Sequence, residues 1–286
     1  MSSKLKSTEW DWEITNKASS WELNVLEIWS YRNLMARLVR RDFLLSYQQT
    51  LLGPLWTLLQ PIVTVFIYVL VFGKLVGIST GTVPPFLFYL SGTILWSFFN
   101  DVFTGTSSTF TANADLFGKV YFPRLIVPLS IISAQFLRLL IQLGLLAVAL
   151  LYFWLLKDVP LRINVWLWFF PVILFITAAI SLATGLIFSV ITAKYRDLAN
   201  VSSLLVRMFM FVTPIIYPVA TVSEKNRWLI NCNPLTPVFE AFRYGLLGEG
   251  DFTVLQLAYS CMSAVLLLLV GVLLFNRQKE TLMDFL

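Results

Sequence analysis

The chain has 286 residues, of which 58% are hydrophobic and 13% charged, with mean hydropathy +0.77 and net charge +5. A water-soluble domain of this size does not need so much apolar surface to fill its core. The absence of histidine removes imidazole metal sites, Ser-His-Asp triads and imidazole proton relays. Cys232 and Cys261 make neither a metal motif nor a disulfide framework. The composition thus points away from catalysis and toward an all-α polytopic membrane protein, expected as one domain over residues 1–286.

Residues 1–20 are polar and lack the apolar core of a cleaved signal peptide. Trp10, Trp12 and Trp21 are suited to the headgroup level. Residues 31–45 read as a basic amphipathic helix. Tyr31, Leu34, Met35, Leu38 and Leu45 share one face, and Arg37, Arg40 and Arg41 the other. Such a helix is expected to lie in the membrane plane with its arginines toward anionic headgroups. This segment to residue 50 precedes a bundle over 51–275 and a short tail over 276–286.

Six spans are expected, at roughly 51–73, 86–112, 128–156, 166–192, 199–218 and 254–275, each long enough to cross about 30 Å of hydrocarbon. Pro54 suits a first helical turn, and Pro61 is expected to kink the first span and free a carbonyl. The second span is rich in aromatics and ends in a Ser/Thr run that allows close helix packing. The segment after residue 218 is too apolar for a free loop. Asn233-Pro234 and Thr236-Pro237 look like helix starts, so two short helices dipping back into the outer leaflet are expected. With the N-terminus inside, thirteen Lys and Arg fall on the inner side against six outside, which places both termini in the cytoplasm. The positive charge then reflects topology and anionic lipid, and no separate basic domain exists to bind nucleic acid.

Three charges fall inside expected spans: Asp101, Arg138 and Arg207. Counted from the inner helix ends, all three lie about 15–18 Å deep. Intramembrane charges are expensive and usually pair, so Asp101 is expected to pair with Arg138 or Arg207. The connector at 113–128, NADLFGKVYFPRLIVP, is unlike a passive turn. It carries Asp115, Lys119 and Arg124 among aromatics and between Pro123 and Pro128, a pattern built to dock on something. The chain has no G-x-x-x-x-G-K-[ST] phosphate loop and so has no energy source of its own.

Several motifs, in order and spread over most of the chain, carry a family resemblance. They are Arg41-Asp42, Leu52-Gly53-Pro54-Leu55-Trp56, Gln60-Pro61 and Val71-Phe72-Gly73, then Lys119-Val120 with Phe122-Pro123-Arg124. Later come Tyr195-Arg196-Asp197, Pro214-Ile215-Ile216-Tyr217, Asn233-Pro234-Leu235-Thr236-Pro237 and Arg243 with Leu246-Leu247-Gly248. In these the chain resembles the membrane permease subunit of bacterial ABC-2 type transporters that export polysaccharides such as O-antigen, capsule and teichoic acid.

The resemblance implies a homodimer in the bacterial inner membrane, with an ABC ATPase subunit docked beneath each half and a lipid-linked polysaccharide as substrate. This chain would bind no cofactor; ATP and Mg would be held by the ATPase. The resemblance also implies a coupling element in Asp115, Lys119, Phe122, Pro123 and Arg124, approached by Tyr195, Arg196 and Asp197. The 31–45 helix resembles the family's interface helix. The outer gate would include Pro214, Pro218, Asn233, Pro234, Pro237 and Arg243. Sugar rings present apolar C–H faces, so aromatic side chains offer a sliding polymer many weak contacts. Candidates for the channel wall are Trp56, Tyr68, Phe88, Tyr89, Trp96, Phe99, Phe103 and Tyr217.

Two other readings stay open. One is an ABC-2 exporter of a drug or small lipid. The other is a membrane-embedded transferase acting on lipid-linked sugar, which needs convergent acids or a histidine. Glu224, Glu240, Glu249 and Asp251 are scattered along the sequence.

Overall fold

The computed structural model describes residues 25–120, 122–160, 164–195 and 197–277. The tryptophans at 10, 12 and 21, Arg196 and the chain beyond 277 lie outside the described residues. Every regular element described is helical, as the composition requires. In order they are α1 (Val25–Ser30), α2 (Arg32–Leu45), α3 (Trp56–Tyr68), α4 (Pro85–Ser107), α5 (Thr109–Ala112), α6 (Ala114–Lys119), α7 (Ile126–Lys157), α8 (Phe170–Lys194), α9 (Leu198–Val212), α10 (Glu224–Asn231), α11 (Thr236–Leu247) and α12 (Val254–Arg277).

Local sequence explains the boundaries. Pro54 sits in the tight turn Gly53–Leu55 that opens α3, where no backbone donor is missed. Pro61 is accommodated within α3, and the helix widens into π-helical turns over Val69–Leu75. Pro237 opens α11 and Gly248, in the left-handed region at φ 74°, closes it.

α4 is the hub, touching α3, α7, α8, α9 and α11. Small residues let the backbones approach. A Cβ added at Gly185 on α8 would stand 2.6 Å from Cβ of Thr106 on α4, and one at Gly271 on α12 2.8 Å from the Ala183 carbonyl oxygen. Gly185→Leu is therefore expected to part α4 from α8 and destabilise the protein by about 1–3 kcal/mol. The measurement is the temperature at which detergent-solubilised protein loses its monodisperse elution peak; an unchanged temperature refutes the close packing.

Contacts fix the two ends of the bundle. Gly271 lies against Ala183, and Phe275 packs with Leu186 and stacks on Phe110, so α8 and α12 run side by side in one direction. At the opposite end Phe170 at the start of α8 stacks on Phe242 of α11. α9 leaves the α6 end, passes Trp96 and Phe99 at Phe209, and its exit turn meets Gly92 with Ile215. That level is about 10 Å short of the start of α4 at Pro85, and buried α11 fills the remaining thickness.

Among the described residues, five helical segments are long and apolar enough to cross a membrane: Gly53–Leu75, Pro85–Ser107, Ile126–Lys157, Val165–Lys194 and Val254–Arg277. The expected span at 199–218 is instead the 15-residue α9, about 22 Å long against about 30 Å of hydrocarbon. Thr213 is extended at φ −89°, ψ 137° because Pro214 follows it. Of the two short outer helices expected, α11 is buried along most of its length, whereas α10 exposes Trp228 and Leu229.

α7 departs most from expectation. Its 32 residues extend about 48 Å, well over the hydrocarbon thickness. Counting about 20 residues back from its C-terminal end at Lys157 puts the other membrane boundary near Arg138. The first three turns of α7, with α5 and α6, form a foot that projects from the membrane.

Candidate functional site

The foot is held by an apolar cluster. Leu38 on α2 is buried with Phe122, Ile126 and Val127, and Tyr31, Leu34, Met35, Leu116 and Phe117 pack around them. The stripe seen in the sequence of α2 is thus covered by α6 and the base of α7 rather than by a lipid surface. Leu45, counted in that stripe, is 57% exposed. Arg37, Arg40 and Arg41 face outward; Arg41 pairs with Asp42 at 2.8 Å and donates to Asn113 Oδ1 at 3.5 Å.

The residues singled out at 113–128 divide by direction. Asp115 and Lys119 are exposed on α6. Phe122 is buried and stacks on the Phe117 ring at 5.7 Å. Pro123 is half-buried, and the half-buried Arg124 places its guanidinium 5.9 Å from the Phe117 centroid. Exposed Tyr195 and Asp197 flank the α8–α9 turn at the same end, with the Lys194 ammonium 5.2 Å from the Tyr195 ring. The foot therefore presents polar groups outward on a framework of aromatic packing.

At the opposite end, the outer residues converge on one guanidinium. Arg243 on α11 is 1% exposed. It donates to the Pro214 carbonyl at 2.5 Å and the Ile215 carbonyl at 2.7 Å, and pairs with Glu240 at 3.4 Å. Its Cζ lies 3.8 Å from the Phe88 centroid. Gly92 makes room for it, since a Cβ there would stand 2.7 Å from the guanidinium. Glu240 also accepts from the Asp251 backbone N–H at 2.9 Å. One buried pair thus joins α4, the turn after α9 and the α11–α12 link.

Buried Asn233 donates to Thr213 Oγ1 at 3.0 Å and accepts from Leu235 N–H. Pro214 and Pro237 are buried, and Pro218 and Pro234 half-buried around this turn. Sequence reasoning missed Glu240 and Gly92. Glu240 and Arg243 at i, i+3 on an otherwise apolar helix were the available signal.

The intramembrane charges do not pair with each other. The Asp101 carboxylate accepts from Asn100 Nδ2 at 3.1 Å and makes no ion pair among the described residues. Arg138 donates to Gln135 Oε1 at 3.1 Å and to Ser46 Oγ, with its Cζ 5.8 Å from the Tyr47 ring. Arg138 lies near enough for its charge to act on the Asp101 carboxylate, but its amino groups are taken by Gln135 and Ser46. Arg207 is exposed on α9 and has no hydrogen bond or ion pair among the described residues.

The eight aromatic candidates also divide. Phe88, Tyr89, Trp96, Phe99 and Phe103 are buried inside this chain, where they build its core. Trp56 is 49% exposed. Tyr68, whose hydroxyl donates to the Met210 sulfur at 3.6 Å, and Tyr217, which donates to the Phe211 carbonyl at 2.9 Å, are partly exposed. The scattered acids do not converge on a site, and no group of three potential metal ligands exists among the described residues.

The sequence profile of the ABC-2 type transporter membrane family matches residues 33–247. The O-antigen export system permease protein RfbA of Klebsiella pneumoniae is 26% identical over 247 residues, covering 86% of this chain and 92% of that protein. RfbA of Myxococcus xanthus is 28% identical over 77% of this chain and 82% of its own length. The polysialic acid transport protein KpsM of Escherichia coli is 24% identical over 81% and 88%. With the matched stretch running from α2 to the end of α11, the chain belongs to the ABC-2 type transporter membrane family.

Proposed function

We propose that this chain is the permease subunit of an ATP-driven exporter that moves a lipid-linked polysaccharide outward across the bacterial inner membrane. The foot carries the reading. It projects beyond the bilayer, exposes Asp115 and Lys119, and belongs to a chain without a phosphate loop. Each of two copies would seat its foot, with Tyr195, Arg196 and Asp197 beside it, on one ABC ATPase subunit in the cytoplasm. ATP and Mg²⁺ are bound by that partner and no cofactor by this chain.

The two copies would meet along the exposed faces of α3 and α9. Val63, Phe66 and Ile67 on α3 and Leu204, Met208 and Phe211 on α9 are exposed there, as are Gln60 and Arg207. A glutamine and an unpaired arginine amid such apolar surface fit a wet path better than lipid. Trp56, Tyr68 and Tyr217 would face that path, backed by the buried aromatic core.

The test is a deletion strain, with affinity purification of the tagged chain. The expected result is lipid-linked polysaccharide accumulating at the cytoplasmic face and an ABC ATPase copurifying. A copurified ATPase with normal polysaccharide export turns the assignment toward a drug or small-lipid exporter. Absence of any ATPase defeats the exporter reading.

A further inference from the structure

The base of α3 is tied to the foot by a set of polar contacts that no packing need explains. Gln135, Arg138 and Gln142 stand at i, i+3 and i+7 on one face of α7, turned toward the corner between α2 and α3. Arg138 holds Ser46 Oγ just beyond the end of α2 and lies over the Tyr47 ring. The Tyr47 hydroxyl is hydrogen-bonded to Thr57 Oγ1 on α3 at 2.7 Å. Gln142 donates to the Thr57 carbonyl at 3.4 Å. Thr57 is buried, so its hydroxyl has this protein partner in place of water.

Along its length α2 is fastened to the foot. Leu38 is buried against Phe122 and Ile126, and Arg41 reaches Asn113 at the start of α6. Thus α2 bridges α6 to α3, bound to the foot by the apolar packing of Leu38 and the Arg41–Asn113 contact, and to α7 and α3 by directional hydrogen bonds just beyond its C-terminal end. Apolar packing transmits compression, whereas hydrogen bonds transmit orientation, because they weaken steeply when misaligned.

We infer that α2 is a second arm of the coupling machinery: displacement of α6 reaches the first span through a hinge in which Arg138 holds Ser46 and Tyr47 holds Thr57. The inference rests on the exporter reading above. Arg138 is here a positioning residue. It sets the angle at which α3, and with it the exposed face carrying Trp56 and Gln60, meets the rest of the bundle. The hinge also accounts for a guanidinium at the inner membrane boundary whose Nε is buried without a hydrogen bond. The two amino groups carry its bonds to Gln135 and Ser46.

The experiment uses the intact complex of this chain with its ATPase, in cells and in proteoliposomes. Tyr47→Phe and Thr57→Val each delete one side of the same hydrogen bond while keeping shape, and Arg138→Gln releases Ser46. The readouts are complex recovered, ATP hydrolysis and polysaccharide export. Each variant is expected to yield wild-type amounts of complex and hydrolysis within about two-fold, with export reduced about five-fold or more. The double variant Tyr47→Phe/Thr57→Val should be no worse than either single, because both remove one interaction. Unchanged export in all three single variants, or export falling only in proportion to complex recovered, overturns the hinge. A wild-type chain that recovers no ATPase overturns instead the exporter reading, and the hinge with it.

Discussion

Replacing Arg243 by methionine is expected to cost about 3–5 kcal/mol of stability, the scale for removing one member of a buried ion pair. The loss has three parts. The Pro214 and Ile215 carbonyls lose the donors that satisfy them in a turn that has left the helical ladder. Glu240 is left as a buried carboxylate held by the Asp251 and Val219 backbone donors, with no cation beside it. The Phe88 face loses its cation. Pulse proteolysis in detergent or a thermal unfolding midpoint measures the effect. Glu240→Gln/Arg243→Met should recover part of it, since no uncompensated charge remains. A double variant as unstable as Arg243→Met would show that the carbonyl contacts, and not the pair, dominate. A stable single variant would show that the turn holds itself.

Charge reversal at Lys119 is expected to abolish most coupling while leaving the fold intact. Lys119 is exposed at the end of α6 and outside the apolar cluster of the foot, so Lys119→Glu removes no buried contact. At a docking surface, a like-charge juxtaposition costs several kcal/mol. Export should therefore fall at least about ten-fold, with unchanged protein level and unchanged thermal midpoint. Arg124→Glu should act in the same direction, with a loss of stability added, because its guanidinium also lies over the Phe117 ring. Normal export in Lys119→Glu would remove α6 from the contact with the ATPase.

Much of this architecture was legible residue by residue. The apolar stripe of α2 and the start of α11 at Pro237 follow from spacing and backbone chemistry alone. The docking character of 113–128 was visible because charged, aromatic and proline residues do not alternate so in a passive turn. What could not be read was which apolar residues face protein and which face lipid. Phe99 is buried and Phe175 exposed, yet both are phenylalanines in apolar helices. In a membrane both surroundings are apolar, so hydropathy carries no contrast between them. The short α9 was missed for a related reason: Ile215 and Ile216 keep the segment apolar after the helix has ended at Val212. The pairing expected of Asp101 failed on a matter of partners: the Arg138 amino groups are taken by Gln135 and Ser46, and the long-range tie to Ser46 is not visible in sequence spacing.

The length of α7 has a mechanical meaning. A stiff rod of about 48 Å held in about 30 Å of hydrocarbon leaves an arm of roughly 18 Å outside. If the membrane boundary near Arg138 serves as the fulcrum, the two arms stand at about 18 to 30 Å. A sideways push on the short arm then swings the far end about 1.7 times as far in the opposite sense. That far end is where Phe153 stacks on Phe86 at the start of α4 and borders Leu246 and Leu247 of α11. The helix that carries the foot therefore also touches the elements around Arg243, with the long limb of the lever at that end.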